Sequence, residues 1–172
     1  MYRNVEIKAR IENIEDLELR IAKIAEDGPT TIFQDDTFFK CANGRLKLRT
    51  FSEKYGELIF YQRDDQLEPT ESFYIRTSTN DPSTLREALK LAYGEVGRVI
   101  KNRKLYYAGR TRIHVDQVER LGNFIELEVV LKKYEDVNTG IDEADEILQQ
   151  LSIDKSCLIR CAYVDLIPQN DA

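Results

Sequence analysis

The chain has 172 residues, of which 42% are hydrophobic and 33% charged, with a formal net charge of −6 and a pI near 5.0. That length suits one domain, expected to span residues 1–172, with a core of its own. The acidic balance argues against general binding to nucleic acid or to an anionic membrane, since both need a basic surface.

The first element is a period-two run over 2–11, in which Asn4, Glu6, Lys8 and Arg10 alternate with Val5, Ile7, Ala9 and Ile11. A helix follows over 14–26, with Ile14, Leu17, Ile21 and Ile24 at helical spacing. Strands are expected over 31–40, 45–52, 57–64 and 71–79. Asp81 followed by Pro82 marks the start of a second helix over 82–93. Three more strands cover 97–108, 110–118 and 123–133. The chain closes with a helix over 141–151, capped by Thr139, and another over 156–167. On that last helix Cys157 and Cys161 are expected to share a buried face. With Cys41 they make three cysteines, an odd number, and no CxxC pair or Cys/His cluster suggests zinc. The first residues hold no apolar signal core and no run approaches the ~18 apolar residues of a membrane span, so a cytoplasmic location is expected. Strands outnumber helices and the helices are not interposed regularly between them. The pattern is that of an antiparallel α+β domain.

What alternates along the strands is unusual. Arg45, Lys47 and Arg49 alternate with Leu46 and Leu48; Arg110, Arg112, His114 and Asp116 alternate with Thr111, Ile113 and Val115. Lys101 and Arg103 share a side of their strand, and Glu126 and Glu128 share a side of theirs. One explanation is the solvated outer face of an open sheet, charged to deter edge pairing. The other is a barrel whose apolar outside packs against helices and whose inside is a charged tunnel; eight strands enclose room for one small ligand. Segregation of the lanes by sign favours the tunnel, because solvated faces intermix signs. Buried charge needs compensation. A phosphorylated anion with a divalent metal supplies it, carboxylates holding the hard cation while Lys and Arg meet phosphate oxygens.

The motifs NVEIK, GRLKLR, ELIFYQR, VIKNRKLYY and TRIHVDQVERLGNFIELEVVL extend this pattern along nearly the whole chain. Together they resemble the CYTH family, the triphosphate tunnel metalloenzymes, which includes class IV adenylyl cyclases, thiamine triphosphatases and inorganic triphosphatases. The family signature ExExK reads NVEIK here, with Asn4 in place of the first glutamate. The resemblance implies a closed eight-stranded antiparallel barrel with helices outside, and Mg²⁺ or Mn²⁺ as cofactor. It implies that Glu6, Glu126 and Glu128 hold metal, with Asp116 as a further ligand or anchor. Lys8, Lys47, Arg49, Lys101 and Arg103 are implied to bind phosphate, joined by Arg63 and Arg112, and among these Lys8, Arg49 and Arg103 are the catalytic candidates. His114, Tyr106, Tyr107 and Tyr163 are read as structural. The expected activity is hydrolysis of a triphosphate-bearing small molecule. The alternatives are a cyclase making cyclic AMP and pyrophosphate, or a non-catalytic triphosphate-binding module. A homodimer is compatible with the pattern.

Overall fold

The computed structural model describes residues 2–63 and 70–168. In chain order its elements are β1 (Tyr2–Arg10), α1 (Ile14–Ile24), β2 (Asp27–Phe39), β3 (Arg45–Ser52), β4 (Tyr55–Arg63) and β5 (Thr70–Thr79). Then come α2 (Pro82–Tyr93), β6 (Glu95–Ala108), β7 (Thr111–Val118), β8 (Gly122–Val130), α3 (Val137–Gln150), β9 (Leu158–Ile159) and α4 (Tyr163–Leu166).

Every strand pair is antiparallel, in the order β5-β4-β3-β2-β6-β7-β8-β1. β1 returns to β5 from Tyr2↔Tyr74 to Glu6↔Thr70, which closes eight strands into a barrel. The rest of that edge of β1 is taken by β9, through Lys8↔Ile159 and Ala9↔Leu158. Closure is what turns alternation along a strand into an inside and an outside.

The outward residues of β1, β7 and β8 are apolar because two helices cover them. Val5, Ile7, Ile113, Val115, Leu127 and Val129 pack against Leu17 and Ile21 of α1 and against Ala144, Ile147 and Leu148 of α3, all buried. Gly140 lets α3 come close: a Cβ there would lie 2.7 Å from Leu131 Cδ2 and 2.8 Å from Val5 Cγ2. A second apolar cluster, with Phe38, Val99, Phe124, Tyr163 and Val164, is built where α4 meets the barrel. Among the described residues no helix is long and apolar enough to cross a membrane.

Local signals fixed α1 and α2. Asn13 and Asp81 each accept from the backbone N–H three residues on, and Pro82 opens α2. Two expectations are corrected. α3 starts at Val137, capped by Asp136 rather than Thr139, because the Asp136 carboxylate accepts from the Asn138 N–H. The expected helix over 156–167 is instead a 3-10 turn (Lys155–Cys157), then β9, then α4. Its apolar run serves pairing with β1 and packing on the barrel, so Cys157 is exposed, Cys161 half-buried, and the two share no buried face.

Candidate functional site

The inward lanes of the barrel enclose a cavity of about 250 Å³. Seven cationic side chains line it against five carboxylates. A chain with a net charge of −6 thus carries a cationic interior. The charges are sorted by wall: Lys47 and Arg49 on β3 and Lys101 and Arg103 on β6 form one side. Glu6 on β1 and Glu126 and Glu128 on β8 form the other, flanked by Lys8, Arg112 and His114.

On the cationic wall two carboxylates hold the bases in place. Asp36, from β2, accepts from Arg49 Nε and Nη2 at 2.8 Å each, from Lys101 Nζ at 3.1 Å, and pairs with Lys47 Nζ at 3.4 Å. Asp116, from β7, takes Arg103 through two bonds of 2.7 and 2.8 Å and accepts the Tyr163 hydroxyl at 2.8 Å. Asp116 is fully buried, engaged by Arg103 on one side and Tyr163 on the other. Burial, joined by repulsion from the neighbouring cations, holds the Lys101 ammonium down to about 7 and that of Lys47 to about 8, with Asp36 opposing in both. Although burial opposes it, the three bases keep Asp36 well below the ordinary carboxylate range.

The acidic wall follows from register. Glu6 lies opposite Glu128, and Lys8 opposite Glu126, across the β1–β8 ladder; Arg112 and His114 face the same two glutamates from β7. Burial pushes the Glu128 carboxyl up to about 7, with Glu6 and Glu126 adding repulsion and Arg112 opposing. Glu126 goes the other way: burial is outweighed by His114, Arg103 and Lys8, which hold it well below the usual range. Burial and the nearby Arg103 lower the His114 imidazole to about 4, so it is neutral near pH 7. Its Nδ1 sits 3.5 Å from Glu126 Oε1, a long contact through which it bears on that carboxylate.

Asn4 explains part of this wall. Its amide nitrogen donates to Glu128, since only an N–H can face a carboxylate favourably. Its carbonyl oxygen Oδ1 is then buried with no hydrogen-bond partner. An orphaned oxygen beside three glutamates is a donor set of the kind that Mg²⁺ or Mn²⁺ takes, all hard oxygen. Among the described residues, however, no three His, Cys, Asp or Glu side chains are gathered into a ready metal-holding group. Glu128 is occupied by Asn4 and by Arg112 Nη2 at 3.1 Å, and Glu126 lies 4.0 Å from Lys8 Nζ. The residues fit a hard cation in chemistry, with Glu128 Oε1 engaged by Asn4 and Arg112.

Lys8, Lys47, Arg49, Lys101, Arg103, Arg112, Glu6, Glu126 and Glu128 all line the one cavity. Arg63 ends β4, and its side chain lies outside the described residues. Arg110 and Arg45 leave the tunnel set: Arg110 binds Glu135 and Glu143 outside, and Arg45 binds Asp165 of α4. Sequence reasoning missed Asp36 and Tyr163. Asp36 shares a lane with Gln34 and Phe38, and only the strand pairing tells it from Asp35, which faces the other way. Tyr163 is more than a packing residue, for besides its bond to Asp116 its ring lies 4.2 Å from Lys8 Nζ and 5.6 Å from Lys101 Nζ.

Comparison with known proteins carries the same pattern. A relative from Methanocaldococcus jannaschii, bearing the name "Putative adenylate cyclase", is 27% identical over 170 residues, covering 94% of this chain and 97% of its own. A Pyrococcus horikoshii protein shares the fold at TM-score 0.85 and 21% identity, over 96% of this chain and 99% of that one. A Hippeastrum protein named an adenylyl cyclase of putative kind, and described as having a dominant triphosphatase activity, superposes at TM-score 0.63 with 12% identity, over 94% and 91% of the two chains. At those identities the two structures speak for the fold alone. The CYTH domain model matches residues 2–163, from the first barrel strand to the tyrosine that abuts the tunnel, and the chain belongs to that family.

Proposed function

We propose that the tunnel binds the triphosphate of a small molecule and that the chain hydrolyses it with Mg²⁺ or Mn²⁺. The observation that carries this reading is the cationic interior of an acidic chain, with four bases on one wall and three glutamates on the other. A linear polyanion carrying a divalent cation matches both walls at once. The bound metal supplies charge neutralisation on the triphosphate oxygens, held by Glu6, Glu126 and Glu128 with the Asn4 carbonyl. Lys47, Arg49 and Lys101 bind phosphoryl oxygens, and Lys8 and Arg103 reach the same chain from β1 and β6. Arg103 is fixed in a bidentate pair with Asp116, so it meets developing charge without reorganising. Catalysis by such a wall is chiefly positioning and electrostatic stabilisation.

One observation favours a second reading, a binding module without turnover. Asn4 stands where the family signature has a carboxylate, and its amide donates to one oxygen of Glu128 in the proposed metal wall. Orthophosphate release from inorganic triphosphate and from ATP, with Mg²⁺ or Mn²⁺ and chromatography of products, separates the outcomes. Orthophosphate above an EDTA control, with no cyclic AMP, is the expected result. Cyclic AMP with pyrophosphate identifies a cyclase. Unchanged substrate with retained triphosphate binding identifies the module.

A further inference from the structure

Asp36 is the only carboxylate among the described tunnel-facing residues of β2, β3 and β6. It is 1% exposed, and its two oxygens take both available N–H groups along one edge of the Arg49 guanidinium. The same carboxylate reaches Lys101 at 3.1 Å and Lys47 at 3.4 Å. One anion of the protein is therefore seated among three of the bases to which the tunnel reading gives phosphate oxygens. A phosphoryl group would seek the same guanidinium edge, because a fork of parallel N–H donors fits carboxylate and phosphate alike.

We propose that Asp36 is an internal counter-anion occupying the phosphoryl subsite of Lys47, Arg49 and Lys101 between ligands, so that the tunnel rejects a single phosphate and admits a chain polyphosphate. This rests on the reading of the tunnel as a triphosphate site. A tethered carboxylate competes at a high effective concentration, so an incoming monoanionic or dianionic phosphate trades one set of contacts for a similar set. A triphosphate also reaches Lys8 and Arg103, which Asp36 does not touch, and those added contacts decide the exchange. Without Asp36 three adjacent buried bases would hold any orthophosphate they met, including the product of hydrolysis.

Asp36 acts through the bases rather than on substrate, so it is a positioning and selectivity residue. Titration calorimetry with inorganic phosphate and inorganic triphosphate, on wild type and Asp36→Asn, tests it. Wild type should prefer triphosphate, and Asp36→Asn should narrow that preference by about tenfold or more through a gain in orthophosphate affinity. Equal gains for both anions would mean that Asp36 supplies only general charge, and no gain for orthophosphate would mean that it blocks nothing; either overturns the role. Should Asp36→Asn fail to fold, Asp36→Ser removes the anion while keeping a hydroxyl to accept from the Arg49 edge and leaves all three bases in place. That variant should also gain orthophosphate, and its failure to do so overturns the proposal. A wild-type chain that binds neither anion removes the tunnel reading itself, a separate result from wild type binding triphosphate while the variants gain nothing.

Discussion

Glu128 and Glu126 are two residues apart on one strand, yet their environments drive them in opposite directions, Glu128 up to about 7 and Glu126 well below the usual range. Both belong to the proposed metal wall. Glu126→Gln or Glu128→Gln should lower metal-dependent orthophosphate release by about a hundredfold or more while circular dichroism shows an intact barrel. Unchanged turnover in both variants would take the metal from this wall. The lysines opposite make a pH prediction. Lys101 is held to about 7 and Lys47 to about 8, against an ordinary 10.5 in each case. The unfolded chain binds more protons across that window, so the ligand-free fold should gain stability as pH rises from about 7 to about 10. Lys101→Met should flatten the rise in a melting series. Triphosphate favours the charged lysines, so binding at about pH 8.5 should take up between about one and two protons, read by calorimetry in buffers of different ionisation enthalpy. The bases themselves were legible in the sequence, because Lys47 and Arg49 lie two apart with the apolar Leu48 between. Asp36 was not, since Asp35 precedes it and only the pairing with β3 shows which of the two faces the tunnel: Asp36 turns in to Arg49, and Asp35 binds Arg98.

At the level of elements, what could be read followed from how local the cause is. α1 and α2 carry their caps and apolar spacing within a dozen residues, and their positions were legible. β9 exists only because β1 has an edge left beside β5, a non-local cause that an apolar run such as CLIRCAYVDLI cannot announce. The seating of α3 is equally non-local. Gly140→Ala would drive a methyl against Leu131 and Val5, and should cost about 1–3 kcal/mol by overpacking. The melting temperature should fall by several degrees while triphosphate affinity holds, since α3 lies outside the tunnel. A parallel loss of affinity would show that α3 seating reaches the inner lanes.

Over the whole molecule, the fold sets acidic groups toward solvent and gathers bases within. Crowded cations in the ligand-free tunnel are a load on the fold that an anion relieves. Triphosphate at about a hundred times its Kd should add about 2.7 kcal/mol of stability and raise the melting temperature in proportion. A melting temperature indifferent to triphosphate would place binding elsewhere. Closure itself was legible as a class of architecture because the lanes were sorted by sign, whereas the strand order, with β2 beside β6, needed the three-dimensional pairing.

The closing seam has a consequence for how the chain is made. β1 is made before every strand it pairs with: Thr70–Tyr74 follows, then Phe124–Val130, then Leu158 and Ile159. Until they arrive, a segment that will be walled in on both sides waits with its ladder unpaired and its alternating charges in water. Those charges then act as a solubility guard on a nascent strand before they become furniture of the tunnel. A pairing displaced by one residue would also turn Val5 and Ile7 inward and leave Glu6 and Lys8 against the helices, so the register that seals the barrel is proofread by the cost of burying ions.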